Sequence, residues 1–197
     1  MEIINFKSQT EITPDEKRFL KLPITTMEEL NTIESIEITK ARLWALSAKT
    51  LNRNDIISLD FLMKLHKKMF SEIWSWAGKF RTTDKNIGVP VHHIQEQLKC
   101  LIDDTNYWQE NAIFPLEEIA LRFHHKLVQI HVFNNGNGRH ARLLADCFLK
   151  KKLKKIFDWD YNNVLHTKTK ARTDYLNAMK KADNGDYTHL LNLFRTQ

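Results

Sequence analysis

Apolar positions recur at three- and four-residue spacing over most of this chain, the pattern of helices that each bury one face. From Thr26 to about Ala48, Leu30, Ile33, Ile36, Leu43, Trp44 and Leu46 trace a first face. Asn52 to Asp55 interrupts it, and Ser58 caps a second helix in which Leu59, Leu62, Leu65, Met69, Phe70 and Ile73 keep a clean spacing. Val91, Ile94, Leu98, Leu101, Ile102, Thr105 and Trp108 predict a third. Pro115 opens a fourth, since the first turn does not need its missing N–H, and Leu116, Ile119, Ala120, Phe123, Leu127 and Val128 line it. Further helices run over Ala141 to Phe148, around Tyr175 and Met179, and through Leu190, Leu191 and Phe194, with a turn at Asn184-Gly185-Asp186. Thr13-Pro14-Asp15-Glu16 reads as the opening of a short helix in an N-terminal arm. Between Trp74 and Pro90, two glycines and a polar centre predict a loop or short hairpin. The fold class is all-α, a bundle of about seven or eight helices with a short β-hairpin.

Composition narrows the class without changing it. At 197 residues, with 42% hydrophobic positions and only 5 glycines and 4 prolines, the chain can bury a full core and is neither collagen-like nor disordered. The net charge of +6 suits contact with a nucleotide, a nucleic acid or an acidic protein, but much of it lies in Lys150 to Lys155, a run with only Leu153 interrupting the lysines, which reads as a solvated helix end. Cys100 and Cys147 sit among apolar helical neighbours, as small hydrophobes in a reducing compartment. No apolar stretch approaches the roughly 20 residues that span a bilayer, so a cytoplasmic protein with no membrane contact is expected.

The chemistry concentrates in His131-Val132-Phe133-Asn134-Asn135-Gly136-Asn137-Gly138-Arg139-His140-Ala141-Arg142. A helix that begins just after a glycine loop aims unpaired N–H groups and the positive end of its dipole into that loop, where an anion can sit. Gly136 and Gly138 allow close approach, Asn137 tolerates a left-handed turn, and Arg139 and Arg142 share a helical face from which they can fork onto two phosphates. The spacing is not that of a Walker loop. His131 ends the preceding helix, where a neutral imidazole can deprotonate a hydroxyl. A lone histidine beside a turn is usually a cap or core residue, but the glycines and arginines around this one favour group transfer to an alcohol. Phe133 reads as the plug that anchors the loop.

His131 to Arg142 resembles the HxFx[D/E]GNGRxxR signature of the Fic (Fido) family. Leu65 to Phe70 with Trp76-Ala77-Gly78-Lys79-Phe80-Arg81, and Ala182 to Tyr187, resemble flanking segments of that family, so the resemblance covers roughly residues 51–194. The start, with Leu22-Pro23-Ile24-Thr25-Thr26, is similar to the bacterial subgroup called mobile mystery protein B. The resemblance implies a Fic-like catalytic domain over 51–197 and an arm with an inhibitory helix over 1–50. It implies transfer of AMP from ATP to a Ser, Thr or Tyr hydroxyl of a protein, with His131 as base. Asn134, Gly136, Asn137, Gly138, Arg139 and Arg142 would hold the nucleotide. Thr82, Thr83, Asp84, Lys85, Asn86, Ile87 and Gly88 would form a flap that docks the target protein by strand addition. Mg2+ is the implied cofactor, yet Asn135 stands where the family usually carries an acidic ligand, which leaves another phosphate-containing donor open. Thr25-Thr26-Met27-Glu28-Glu29 is similar to the family's inhibitory pattern, with Leu30 in place of its glycine, so Glu29 would fork onto Arg142. Self-inhibition or a separate antitoxin is the implied control. Two other classes remain beside this: a basic helical nucleic-acid-binding module without catalysis, and a metal site built from His124, His125, His131 and His140.

Overall fold

A computed structural model describes residues 17–24, 26–159, 169–194 and 196. The helix opening expected at Thr13 to Glu16 lies outside the described residues, as does Thr25. Among the described residues the chain forms α1 (Met27–Ala45), α2 (Ala48–Arg53), α3 (Leu59–Phe70), α4 (Ile94–Glu110), α5 (Leu116–Ile130), α6 (Asn137–Leu153), α7 (Lys170–Asp183) and α8 (Thr188–Leu193), with one 3-10 turn at Val91–His93. The all-α class is therefore found. No helix among them is long and apolar enough to cross a membrane.

Helix starts follow local chemistry. Thr26 accepts from the Glu29 N–H at 3.2 Å while the Glu29 carboxylate accepts from the Thr26 N–H at 3.1 Å, a reciprocal cap that satisfies two backbone donors. Ser58 accepts from the Phe61 N–H at 3.2 Å, and Pro115 precedes α5 as its spacing predicts. The short α2 was not expected; Ser47 caps it at the Thr50 N–H and it buries Leu51.

The α5–α6 pair forms the centre, and every residue of α6 from His140 to Leu149 is buried. α4 lies along α5, α1 along α3, and α7 packs with α8. One hydrophobic cluster runs from Leu30 of α1 to Phe194 after α8. The face that α1 buries is only in part the expected one: Leu30 is buried and Ile33, Trp44 and Leu46 pack against the core, but Leu43 and Ile36 are 73% and 50% exposed, and the inward stripe also takes in Glu34, Ala41 and Ala45. Small alanines allow close approach to α3, and the stripe carries a carboxylate. Leu59, in the first turn of α3, and Cys100 are exposed, contrary to their expected burial, while Cys147 is buried.

The expected hairpin is also corrected. Among the described residues β structure is limited to two isolated bridges, Leu20 with Trp74 and Phe157 with Thr196. The Arg81 side chain donates to the carbonyls of Thr83, at 3.0 Å, and of Val89, so a guanidinium occupies acceptors that cross-strand N–H groups would have used.

Asp146, buried on α6, ties distant segments together. It accepts from Arg42 of α1 at 2.9 Å, from the Trp159 indole N–H at 2.8 Å and from the Phe157 N–H at 3.2 Å. Burial raises its pKa, and these partners oppose the rise. Removing the carboxylate leaves buried donors unanswered, so Asp146→Ala should lower unfolding free energy by about 3 kcal/mol. Urea denaturation measures this, and an unchanged midpoint would rule out the tie.

Candidate active site

α5 ends at His131, whose backbone is left-handed with φ 55 and ψ 63. A non-glycine residue there is strained by roughly 1–2 kcal/mol, so the surroundings must hold it. Arg81 does so: its Nε–H donates to the His131 carbonyl at 2.6 Å and a terminal N–H reaches the Ile130 carbonyl at 3.5 Å. Burial first, then the charges of Arg81 and Lys85, lower the His131 pKa to about 4. The imidazole is thus neutral at ordinary pH and able to accept a proton.

The loop after it is closed by its own side chains. Phe133 is buried and stacks on His66 at 3.5 Å between ring centroids. Asn137 accepts from the Phe133 N–H at 2.9 Å and donates to the Phe133 carbonyl at 2.8 Å. His66 accepts from the Gly78 N–H at 3.0 Å through Nδ1, so Nε2 carries the hydrogen and donates to the Asn135 carbonyl at 3.1 Å. Gly136 has φ 78, and a Cβ there would lie 2.4 Å from the Phe70 ring, so glycine is required. At Gly138 a Cβ would meet only the Arg142 side chain at 3.7 Å, an ordinary contact, so its role in the fold is not steric.

α6 begins at Asn137, directing its first N–H groups into the loop. Arg139 pairs with Glu34 of α1 at 2.5 Å and lies over the Phe70 ring at 5.1 Å. The other Glu34 oxygen accepts from the Trp74 indole N–H at 2.8 Å. Arg142 is buried in the next turn, near enough to His124 and Arg172 for its charge to lower the pKa of both. Asn134 is half-buried at the loop's edge.

The segment expected to be a flap lies against the base. Thr82, Thr83, Asp84, Asn86 and Gly88 are exposed, and Lys85 and Ile87 are half-buried. Gly88 has φ 95, and a Cβ there would come within 2.5 Å of the His131 Cβ. Asp84 accepts from the Val91 N–H at 2.7 Å.

Glu29 is exposed in the reciprocal cap of α1, and Glu34, on the buried stripe, pairs with the loop arginine Arg139. Asn137 was expected to offer its amide to phosphate, but both polar atoms brace Phe133. Arg81, His66 and Trp74 carry roles that periodicity does not signal, whereas an acid in an apolar helical stripe was a visible clue to Glu34.

Metal binding finds little support in the donors. The Asn135 amide oxygen is neutral and accepts from the Gly136 N–H at 2.7 Å, whereas a hard cation prefers carboxylates. Among the described residues no group of three or more His, Cys, Asp or Glu could hold a metal ion, which corrects the four-histidine reading. His140 faces the Leu62 carbonyl at 2.9 Å, and His125 faces Asp183 and Tyr187, each at 2.9 Å. The residues present do not form a magnesium site of their own.

A neutral histidine at a left-handed helix end thus faces a helix N-terminus that carries two arginines, across a glycine turn. Residues 56–149 match the model of the Fic/DOC family. The protein adenylyltransferase fic-1 of Caenorhabditis elegans is 32% identical over 136 residues, covering 66% of this chain and 26% of that protein. Among solved structures, the N-terminal Fic domain of Bep8, a VirB-translocated effector from Bartonella, superposes with a TM-score of 0.66 at 18% identity, covering 88% of this chain and 87% of that one. BepC from Bartonella tribocorum, solved with bound AMPPNP, superposes with a TM-score of 0.65 at 17% identity, covering 94% and 100%. The chain belongs to the Fic/DOC family, with its Fic domain over residues 56–149. It spans about a quarter of the length of the curated nematode relative.

The buried histidines generate a pH prediction. Burial lowers His66 and His124 well below the ordinary value, His131 to about 4 and His140 to about 3. Below about 6.5 the unfolded chain binds protons that the folded one refuses, so stability is greatest above that pH and falls between it and 4. Each histidine contributes up to about 1.4 kcal/mol per pH unit in that window. Urea midpoints at pH 7.5 and 5 should differ sharply; equal midpoints would mean that these rings charge within the fold.

Proposed function

We propose that the protein transfers AMP from ATP to a Ser, Thr or Tyr hydroxyl of a target protein. The observation that carries this reading is the neutral His131 imidazole set across one left-handed turn from the N-terminus of α6 and its arginines. The target oxygen attacks the α-phosphorus as His131 takes its proton; the bond from that phosphorus to the bridging oxygen breaks, and pyrophosphate leaves. N–H groups at the start of α6, around Gly136 and Gly138, answer the charge that develops there. Arg139 and Arg142 hold the outer phosphates and align the nucleotide, while Asn137 keeps the loop's shape. Support comes from the curated relative, named a protein adenylyltransferase, and from BepC, which binds AMPPNP. Magnesium enters this reading only as a counter-ion of the ATP phosphates.

In the same reading, residues Thr82 to Gly88 dock the target beside His131, supported by their exposure and by the contact at Gly88. Glu34 restrains the enzyme by holding Arg139 in place of phosphate, so the inhibitory role falls to it instead of Glu29. α1, within the arm expected over 1–50, is then the control element of the catalytic domain. A cytoplasmic setting accords with both cysteines being free thiols.

Incubation with α-labelled ATP and a lysate tests the reaction. His131→Ala should reduce label incorporation by about a hundredfold or more while leaving the circular dichroism spectrum intact. Equal labelling by both proteins would sink the assignment of the base. Glu34→Gln keeps an acceptor for Trp74 but loses the charge on Arg139. Automodification and AMPPNP affinity should both rise in that variant, and no change in either would overturn the restraint.

A further inference from the structure

Arg81 is a charged side chain buried to 1% exposure far from any exposed role, and its donors converge on backbone carbonyls of two separate segments. It reaches His131 at 2.6 Å and Ile130 at 3.5 Å at the end of α5, and Thr83 at 3.0 Å and Val89 at the two ends of the exposed segment. Backbone bonds add to the seam: the Arg81 N–H donates to the Val132 carbonyl at 3.0 Å, and the Val89 N–H to the Ile130 carbonyl at 3.4 Å. Gly88 then lies so close to His131 that no Cβ fits between them.

We propose that Arg81 is a positioning residue that locks His131 and segment 82–89 into one rigid unit, so that a hydroxyl docked on the segment arrives in register with the base. This rests on the transfer reading above. A planar fork with donors in fixed directions suits four carbonyls, and an ammonium on a flexible stem does not. Without the fork, the left-handed turn at His131 loses the side-chain bond to its carbonyl, and the segment loses the two contacts that the guanidinium makes at Thr83 and Val89. The base then keeps its chemistry but not its placement. Charge is a second, separable contribution: the groups facing His131 are Arg81 and Lys85, with Asp84 at 3.6 Å from Arg81.

The full chain is compared with Arg81→Lys, which keeps charge and loses the fork, and Arg81→Met, which loses both. Amide hydrogen exchange over 82–89 should rise about tenfold in both variants. Automodification from α-labelled ATP should fall about a hundredfold, with AMPPNP affinity unchanged. By NMR, His131 should titrate higher in Arg81→Met and stay low in Arg81→Lys. Wild-type exchange and wild-type rate in Arg81→Lys would overturn the proposal, because charge alone would then suffice. If Arg81→Met fails to fold, Arg81→Lys decides. If the unaltered protein transfers no label, the exchange and titration results still judge Arg81, and the failure falls on the transfer reading.

Discussion

The whole site depends on how a tight reversal between two core helices satisfies its backbone. Val132 and Phe133 are fully buried, so water cannot answer the carbonyls around them, and each buried group left without a partner costs about 1–3 kcal/mol. Among the described residues no strand pairs with the turn, and two backbone N–H groups, of Arg81 and Val89, reach its carbonyls. Side chains from elsewhere add to these: Arg81 on Ile130 and His131, Asn137 on Phe133, His66 on Asn135. The loop therefore borrows its rigidity from α3 and from the segment after it, and its shape is set before any ligand arrives.

The same arrangement determines what kind of base His131 is. Burial lowers the imidazole pKa most, and the guanidinium that caps the helix end adds to this by placing positive charge beside the ring. A ring at about 4 is reliably neutral, though a weak acceptor. Phosphates brought to the neighbouring helix N-terminus would favour the protonated form and raise that value toward the working range. Under the proposed transfer, the nucleotide would help to create the basicity asked of His131.

What the sequence made legible was local. The caps at Thr26 and Ser58, the start at Pro115, and the succession of base, glycine turn and arginines all depend on residues a few positions apart. Long-range partners were not legible. Nothing near Glu34 says that it meets Arg139, and nothing near Arg81 says that its donors turn back onto residues 130 and 131. The hairpin alternative failed for that reason: two glycines and a polar centre describe what a segment can do alone, while a buried guanidinium holds its carbonyls here. Part of the α1 face was misjudged because Ile36 and Leu43 were counted as buried, whereas Ala41 and Ala45, small residues, take places on the buried stripe.

Glu34 completes the electrostatic logic. A loop with two arginines and a helix N-terminus holds an excess of positive charge that repels itself in the absence of an anion. A carboxylate on the buried stripe of α1 relieves this at Arg139, and the Trp74 indole holds it there. Under the proposed function, phosphate would compete with this intramolecular partner, and its apparent affinity would scale with the fraction of molecules in which the pair is open. Glu34 is buried and bonded on both carboxylate oxygens, so its pair with Arg139 is held within the packing of α1. The Arg42 to Asp146 contact fastens the same helix two turns further along. Under the proposed function, nucleotide affinity would be coupled to how firmly α1 packs, and Asp146, through Arg42, would contribute to setting it.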